Sequence, residues 1–239
     1  MGDSMAQSFA ALLLQHLFVQ RVGLVLLAHV VVLLRAGGWQ IERGGEYLVQ
    51  RERLQPLAGI PQLREALSRW YRQQHNLDVP AERIMITPGG SGALLLMSAL
   101  LVNPGQGILM TDPGYPCNRH FLRLVEGRAQ LVPVSAEQRF QLTASVAEQY
   151  WRDSTVGVMV ASPSNPTGTA LTTDEMQALL ALCQARGGYL IVDEIYQDLV
   201  FGDAAASVLG MTDQAFVLNS FSKYFGPPDD LIPAIFLFT

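Results

Sequence analysis

Between residues 84 and 223 short apolar runs alternate with longer stretches whose apolar positions recur every three or four residues. The runs 84–87, 108–111, 129–134, 155–161, 189–192 and 215–218 read as strands. Residues 155–161 and 189–192 are apolar without alternation, the mark of parallel strands covered on both faces. Between them lie predicted helices at 93–101, 142–150 and 173–186. The last begins at a capping box, Thr172 with Glu175, and closes at Gly187-Gly188. An earlier helix enters through Pro61, suited to a first turn, and turns Leu63, Ala66, Leu67 and Trp70 toward a core. Strands alternating with helices predict an α/β fold: a three-layer sandwich with a mainly parallel sheet and helices on both faces.

The ends of the chain break this rhythm. Residues 9–34 are strongly apolar, but their cleanest run, 22–34, falls short of the ~20 residues of a spanning helix. A basic start, as a signal peptide has, is missing. A packed helix is the favoured reading of 9–34; a membrane-associated segment and a non-native sequence are the others. The organisation expected is therefore an apolar segment at 1–50, an α/β domain at 51–226 and a tail at 227–239.

Composition narrows the function classes. The chain has 239 residues, 49% hydrophobic and 15% charged, enough to bury a sizeable core. A net charge of −5 argues against a nucleic-acid surface. Cys117 and Cys183 stand far apart and read as reduced thiols of a cytoplasmic protein. The four histidines are scattered, so no metal site is expected.

Candidate chemistry sits where strands end. The run 215–218 leads into Ser220-Phe221-Ser222-Lys223, and a lysine leaving an apolar strand sits where desolvation favours the free amine, a nucleophile toward aldehydes. The run 189–192 ends in Asp193, a carboxylate that needs a partner or a cap. Pro88-Gly89-Gly90-Ser91-Gly92 precedes a helix; its glycines and the helix N-terminus suit a phosphate, or form an ordinary turn. It is not the G-x-G-x-x-G dinucleotide pattern. Tyr115, after Asp112-Pro113-Gly114, is a stacking ring or a surface tyrosine. Asn165-Pro166-Thr167-Gly168 is a donor loop or a plain turn.

In this order, these motifs, together with Ala58-Gly59-Ile60-Pro61-Gln62-Leu63-Arg64 and Asp193-Glu194-Ile195-Tyr196, resemble the class I/II aminotransferases, pyridoxal-phosphate enzymes of fold type I. The resemblance covers about residues 54–226. It implies the large domain of that fold, with the C-terminal small domain missing here. It implies pyridoxal 5'-phosphate as cofactor, and amino transfer between an amino acid and a 2-oxo acid. Lys223 is then the Schiff-base lysine and proton carrier, Asp193 the partner of the pyridine nitrogen, and Tyr196 and Asn165 donors to the ring oxygen. Tyr115 would stack on the ring. Gly90, Ser91, Gly92, Ser220 and Ser222 would hold the phosphate or orient the lysine. Glu194 is expected to be a solvated or structural neighbour. Relatives of this type form homodimers. The sequence departs from the pattern at Leu54, where a tyrosine is expected, and at Leu231, where a phosphate-gripping arginine is expected. These departures point to impaired turnover. Two other readings stay open: a β-lyase of the same fold, and a non-catalytic cofactor-binding remnant or effector domain.

Overall fold

Alternate residues of each central strand enter two separate cores, so both faces of the sheet need cover. The computed structural model describes residues 58–200, 206–225 and 234–237, the last stretch by its backbone alone. The N-terminal segment 1–50, with its apolar stretch 9–34, lies outside the described residues. In chain order the elements are α1 (Pro61–His75), β1 (Ile84–Thr87), α2 (Gly89–Leu101), β2 (Gly107–Asp112), α3 (Asn118–Leu124) and β3 (Arg128–Pro133). Then follow α4 (Ala144–Tyr150), β4 (Thr155–Ala161), α5 (Thr173–Ala185), β5 (Tyr189–Asp193), β6 (Ala215–Ser220) and β7 (Ala234–Leu237).

The strands form one seven-stranded sheet in the order β1-β7-β6-β5-β4-β2-β3. Strands β2 to β6 pair in parallel, and β7 lies antiparallel between β1 and β6. The segment expected to be a tail thus supplies an interior strand. The pairing Val158↔Leu190 and Met159↔Ile191 sets the register of the centre. Leu109, Val158, Val160, Leu190, Val192 and Val217 face the core under α1, α4 and α5. Ile108, Met110, Met159, Ile191 and Leu218 face the core under α2 and α3. This strict period of two, buried on both sides, is why the strands read as unbroken apolar runs.

The helices start and stop as local chemistry requires. Pro61 stands at the first position of α1, and Asn76 ends it in the left-handed region at φ 54°. Leu67 and Tyr71 are its buried residues, with Leu63 and Trp70 packed beside them. Ala66, expected to face the core, is exposed, and Tyr71 takes the inward position on the next turn. Thr172 and Glu175 form the reciprocal box at the start of α5: the Glu175 N–H donates to Thr172 Oγ1 at 3.2 Å, and the Thr172 N–H to Glu175 Oε2 at 2.8 Å. Arg139 pairs with the same carboxylate. The glycine stretch, expected as a loop before a helix starting at 93, is itself the first turn of α2. Among the described residues no helix is long and apolar enough to cross a membrane.

Candidate functional site

The chain leaves β2 for the edge strand β3 and then returns to the other side of β2 as β4. Sheets of this kind leave a crevice outside the carboxyl ends of the strands where the direction of winding reverses. A cavity of about 220 Å³ opens at that level, between the ends of β4, β5 and β6 and the start of α2.

Each wall has a local cause. Gly90 and Ser91 come from the first turn of α2, whose N-cap, Pro88, makes no side-chain cap. The first N–H groups of a helix have no partner within it, and they carry the positive end of its dipole. A Cβ built on Gly90 would meet only Leu218 Cδ2, at 3.9 Å. Gly90 therefore keeps space open in the cavity rather than relieving a clash. Tyr115 stands on the rim, 40% exposed, its phenol raised by the hydrogen bond with Cys117 and then by burial. Asn165 reaches in from the loop after β4. That loop is closed by the Ser164 N–H donating to the Thr169 carbonyl and the Gly168 N–H to the Ser164 carbonyl, both at 2.8 Å.

Asp193 lies deep at the end of β5, half-buried, with one side on the cavity. Burial pushes its carboxyl up to about 6; the Ile195 N–H, donating to Oδ1 at 3.1 Å, and the charge of Lys223 pull the other way. Among the described residues Asp193 makes no ion pair. Ser222, Lys223 and Tyr196 close the cavity from the far side, with Lys223 Nζ 5.6 Å from the centre of the Tyr196 ring. Lys223 is exposed, not desolvated as its place after an apolar strand suggests, because the turn after Ser220 carries it beyond the sheet.

Two residues singled out in the sequence do not line this cavity. A Cβ on Gly92 would approach Pro88 Cδ at 3.3 Å, so this glycine lets the first turn of α2 pack on Pro88. Ser220 is 2% exposed, and its Oγ lies 2.9 Å from Ser222 Oγ and accepts the Ser222 N–H at 3.1 Å. Other lining residues were missed: Leu94, Ala161, Ile195 and Leu218 form the apolar wall. A signal for two of the wall positions was present. Ala161 follows Met159 by two, and Leu218 follows Phe216 by two, so strand periodicity puts both on the α2 face, as it does Asp193 after Ile191. Glu194 has the opposite parity and is not solvated: it is 2% exposed and accepts from Ser207 Oγ at 2.7 Å and the Val208 N–H at 2.9 Å. Burial pushes its carboxyl up to about 7.

The donor set suits one kind of occupant. Free helix N–H groups and hydroxyls at one end favour a phosphate. A deep carboxylate without an ion-pair contact favours a protonated ring nitrogen. Lys223 supplies a primary amine, and Asn165 and Tyr196 supply donors to a ring oxygen. A phosphorylated pyridine aldehyde fits this arrangement. No group of histidines, cysteines and carboxylates among the described residues is able to hold a metal.

The sequence pattern of the family described as aminotransferase class I and II matches residues 48–229. The chain is similar to the valine–pyruvate aminotransferase of Mycobacterium tuberculosis, with 38% identity over 170 residues, 70% of this chain and 43% of that protein. It is similar in structure to an aminotransferase from Mycobacterium tuberculosis, with a TM-score of 0.71 and 33% identity, covering 80% of this chain and 53% of the other. A putative aminotransferase from Silicibacter pomeroyi aligns with a TM-score of 0.69 and 35% identity, over 84% and 52% of the two chains. The chain spans less than half the length of the curated relatives it matches.

Proposed function

The chain belongs to the class I and II aminotransferase family, and on that premise we propose that the Lys223 cavity binds pyridoxal 5'-phosphate and serves amino transfer between an amino acid and a 2-oxo acid. Enzymes of this family use that cofactor. One observation carries the reading: Ser91, Tyr115, Asn165, Asp193, Tyr196, Ser222 and Lys223, drawn from separate turns, line a single cavity.

Bound there, the cofactor supplies an aldehyde carbon and an electron-accepting ring. The remaining work belongs to the chain. The N-terminus of α2, with Ser91 and Ser222, would hold the phosphate. Ser220 would act through its hydrogen bond to Ser222. Asp193 would keep a proton on the ring nitrogen. Its carboxyl, pushed up to about 6 by burial, would be brought back down by a cation beside it. Asn165 and Tyr196 would orient the ring by donating to its oxygen, and Tyr115 would cover one face. Lys223 Nζ would carry a proton to and from the reacting carbon as general acid and base. The Tyr196 ring beside it attracts the ammonium form.

The reading extends to a cytoplasmic homodimer. Both cysteines, Cys117 and Cys183, are free thiols, as a reducing compartment favours. Sedimentation of the purified chain tests the dimer. Visible absorbance during titration with pyridoxal phosphate tests the site. The parent is expected to develop a new visible absorbance band as the amine of Lys223 takes the aldehyde, and Lys223→Ala to develop none. An identical response from both proteins would overturn the assignment. Addition of an amino acid panel then reads turnover, and release of pyruvate and ammonia from a β-substituted amino acid would redirect the reading to a lyase.

A further inference from the structure

We infer that Tyr71 and Asn219, both outside the cavity, are positioning residues for it, joined by buried hydrogen bonds to the turn that carries Ser222 and Lys223. The inference rests on the cofactor reading above and adds residues that reading does not use. It starts from an oddity of β6. Asn219 follows Ala215 and Val217 at a spacing of two, so its side chain enters the aliphatic core beneath α1 and α5. An amide in such a core is unfavourable unless both its ends are bonded.

Both ends are bonded. Asn219 Nδ2 donates to the Tyr71 hydroxyl oxygen at 3.1 Å, and Asn219 Oδ1 accepts the Ser220 N–H at 2.7 Å. Turning the amide over would set its NH2 against the Ser220 N–H, donor against donor, so its orientation is fixed by the Ser220 bond. Tyr71 is 1% exposed, and burial holds its phenol far above the usual range, so it stays protonated. Its ring packs edge-on against Trp70 at 4.9 Å. Past Asn219 the path crosses to the other face of the sheet. The Ser220 hydroxyl lies 2.9 Å from that of Ser222 and accepts the Ser222 N–H. Ser222 lines the cavity and is followed by Lys223.

An aliphatic residue at 219 would fill the same core position without touching Ser220. The amide instead ties the end of β6 to α1 and sets where the strand stops and the Ser222–Lys223 turn begins. The Ser222 hydroxyl at that turn faces the phosphate in the proposed complex, with Ser220 behind it. Loosening the tie should therefore weaken the grip on a phosphate more than the grip on the ring.

The test measures binding of pyridoxal phosphate and of pyridoxal, which lacks the phosphate, to the full chain and to Asn219→Leu and Tyr71→Phe. Tyr71→Phe keeps the ring packing, so it guards against a variant that fails to fold, and thermal unfolding without ligand is recorded for each. Affinity for pyridoxal phosphate is expected to fall about tenfold, as for the loss of one buried hydrogen bond, and affinity for pyridoxal to fall clearly less. Equal weakening of both ligands, or no change in either, would overturn the positioning role. A parent chain that binds neither compound would overturn the cofactor reading itself, and this inference with it.

Discussion

Replacing Glu194 by glutamine should make the chain more stable above neutral pH, although it removes a charge beside the candidate site. Glu194 is buried, and its carboxyl is pushed from an ordinary 4.5 up to about 7, chiefly by loss of water. The Ser207 and Val208 hydrogen bonds and the charge of His75 offset part of that penalty, and Asp193 adds to it. The folded chain therefore binds a proton here more tightly than the unfolded chain does. The stability this group contributes is complete below about pH 4.5 and is lost as pH rises through about 7. At ~1.4 kcal/mol per pH unit, the window amounts to roughly 3 kcal/mol. Glutamine reproduces the protonated acid: its oxygen accepts the Val208 N–H, and its NH2 donates to Ser207 Oγ. Urea unfolding of both proteins from pH 5 to 8 reads the effect. The parent should lose on the order of 2–3 kcal/mol across that range relative to Glu194→Gln. Taking the difference cancels the groups that do not interact with Glu194. Parallel pH profiles, or a glutamine variant less stable than the parent at pH 8, would refute the argument.

Two further outcomes follow from the geometry. Gly90→Ala should leave stability equal or improved by about 0.5–1 kcal/mol, because the new methyl meets only Leu218 at 3.9 Å. The same methyl enters the cavity, so pyridoxal phosphate should bind more weakly; unchanged affinity in titration would argue against α2 as the phosphate end. Thr172→Ala removes the cap of α5 and should cost about 1 kcal/mol in urea unfolding, with no effect on cofactor affinity, since α5 does not line the cavity.

Strands and their order of burial were legible because the central sheet is apolar on both faces, and each run announces itself locally. The unbroken apolar run 189–192 also put Asp193 at a strand end. What escaped the sequence depends on partners far along the chain. Ala66 and Tyr71 both fit a helical face; the choice was made by Asn219 on β6, a partner that the helix alone does not reveal. Glu194 looks like any polar residue after a strand, and only Ser207 and Val208 make its burial tolerable. Residues 234–237 carry no helix or turn signal, yet nothing local says they belong between β1 and β6. Gly89-Gly90-Ser91-Gly92 reads as a loop by propensity, and tertiary packing makes it helix.

The place of β7 sets a timetable. Among the described residues β1 has a single neighbour in the sheet, and that neighbour is the last of the described strands. On a ribosome adding 5–20 residues per second, β1 would emerge and wait on the order of ten seconds for its partner. During that interval the hydrogen-bonding edge of β1 stands open to other nascent chains, whereas β6 is made just before β7. Closure of this sheet therefore waits for β7, the strand that joins β1 to the rest, and anything that delays β7 prolongs the exposure of β1.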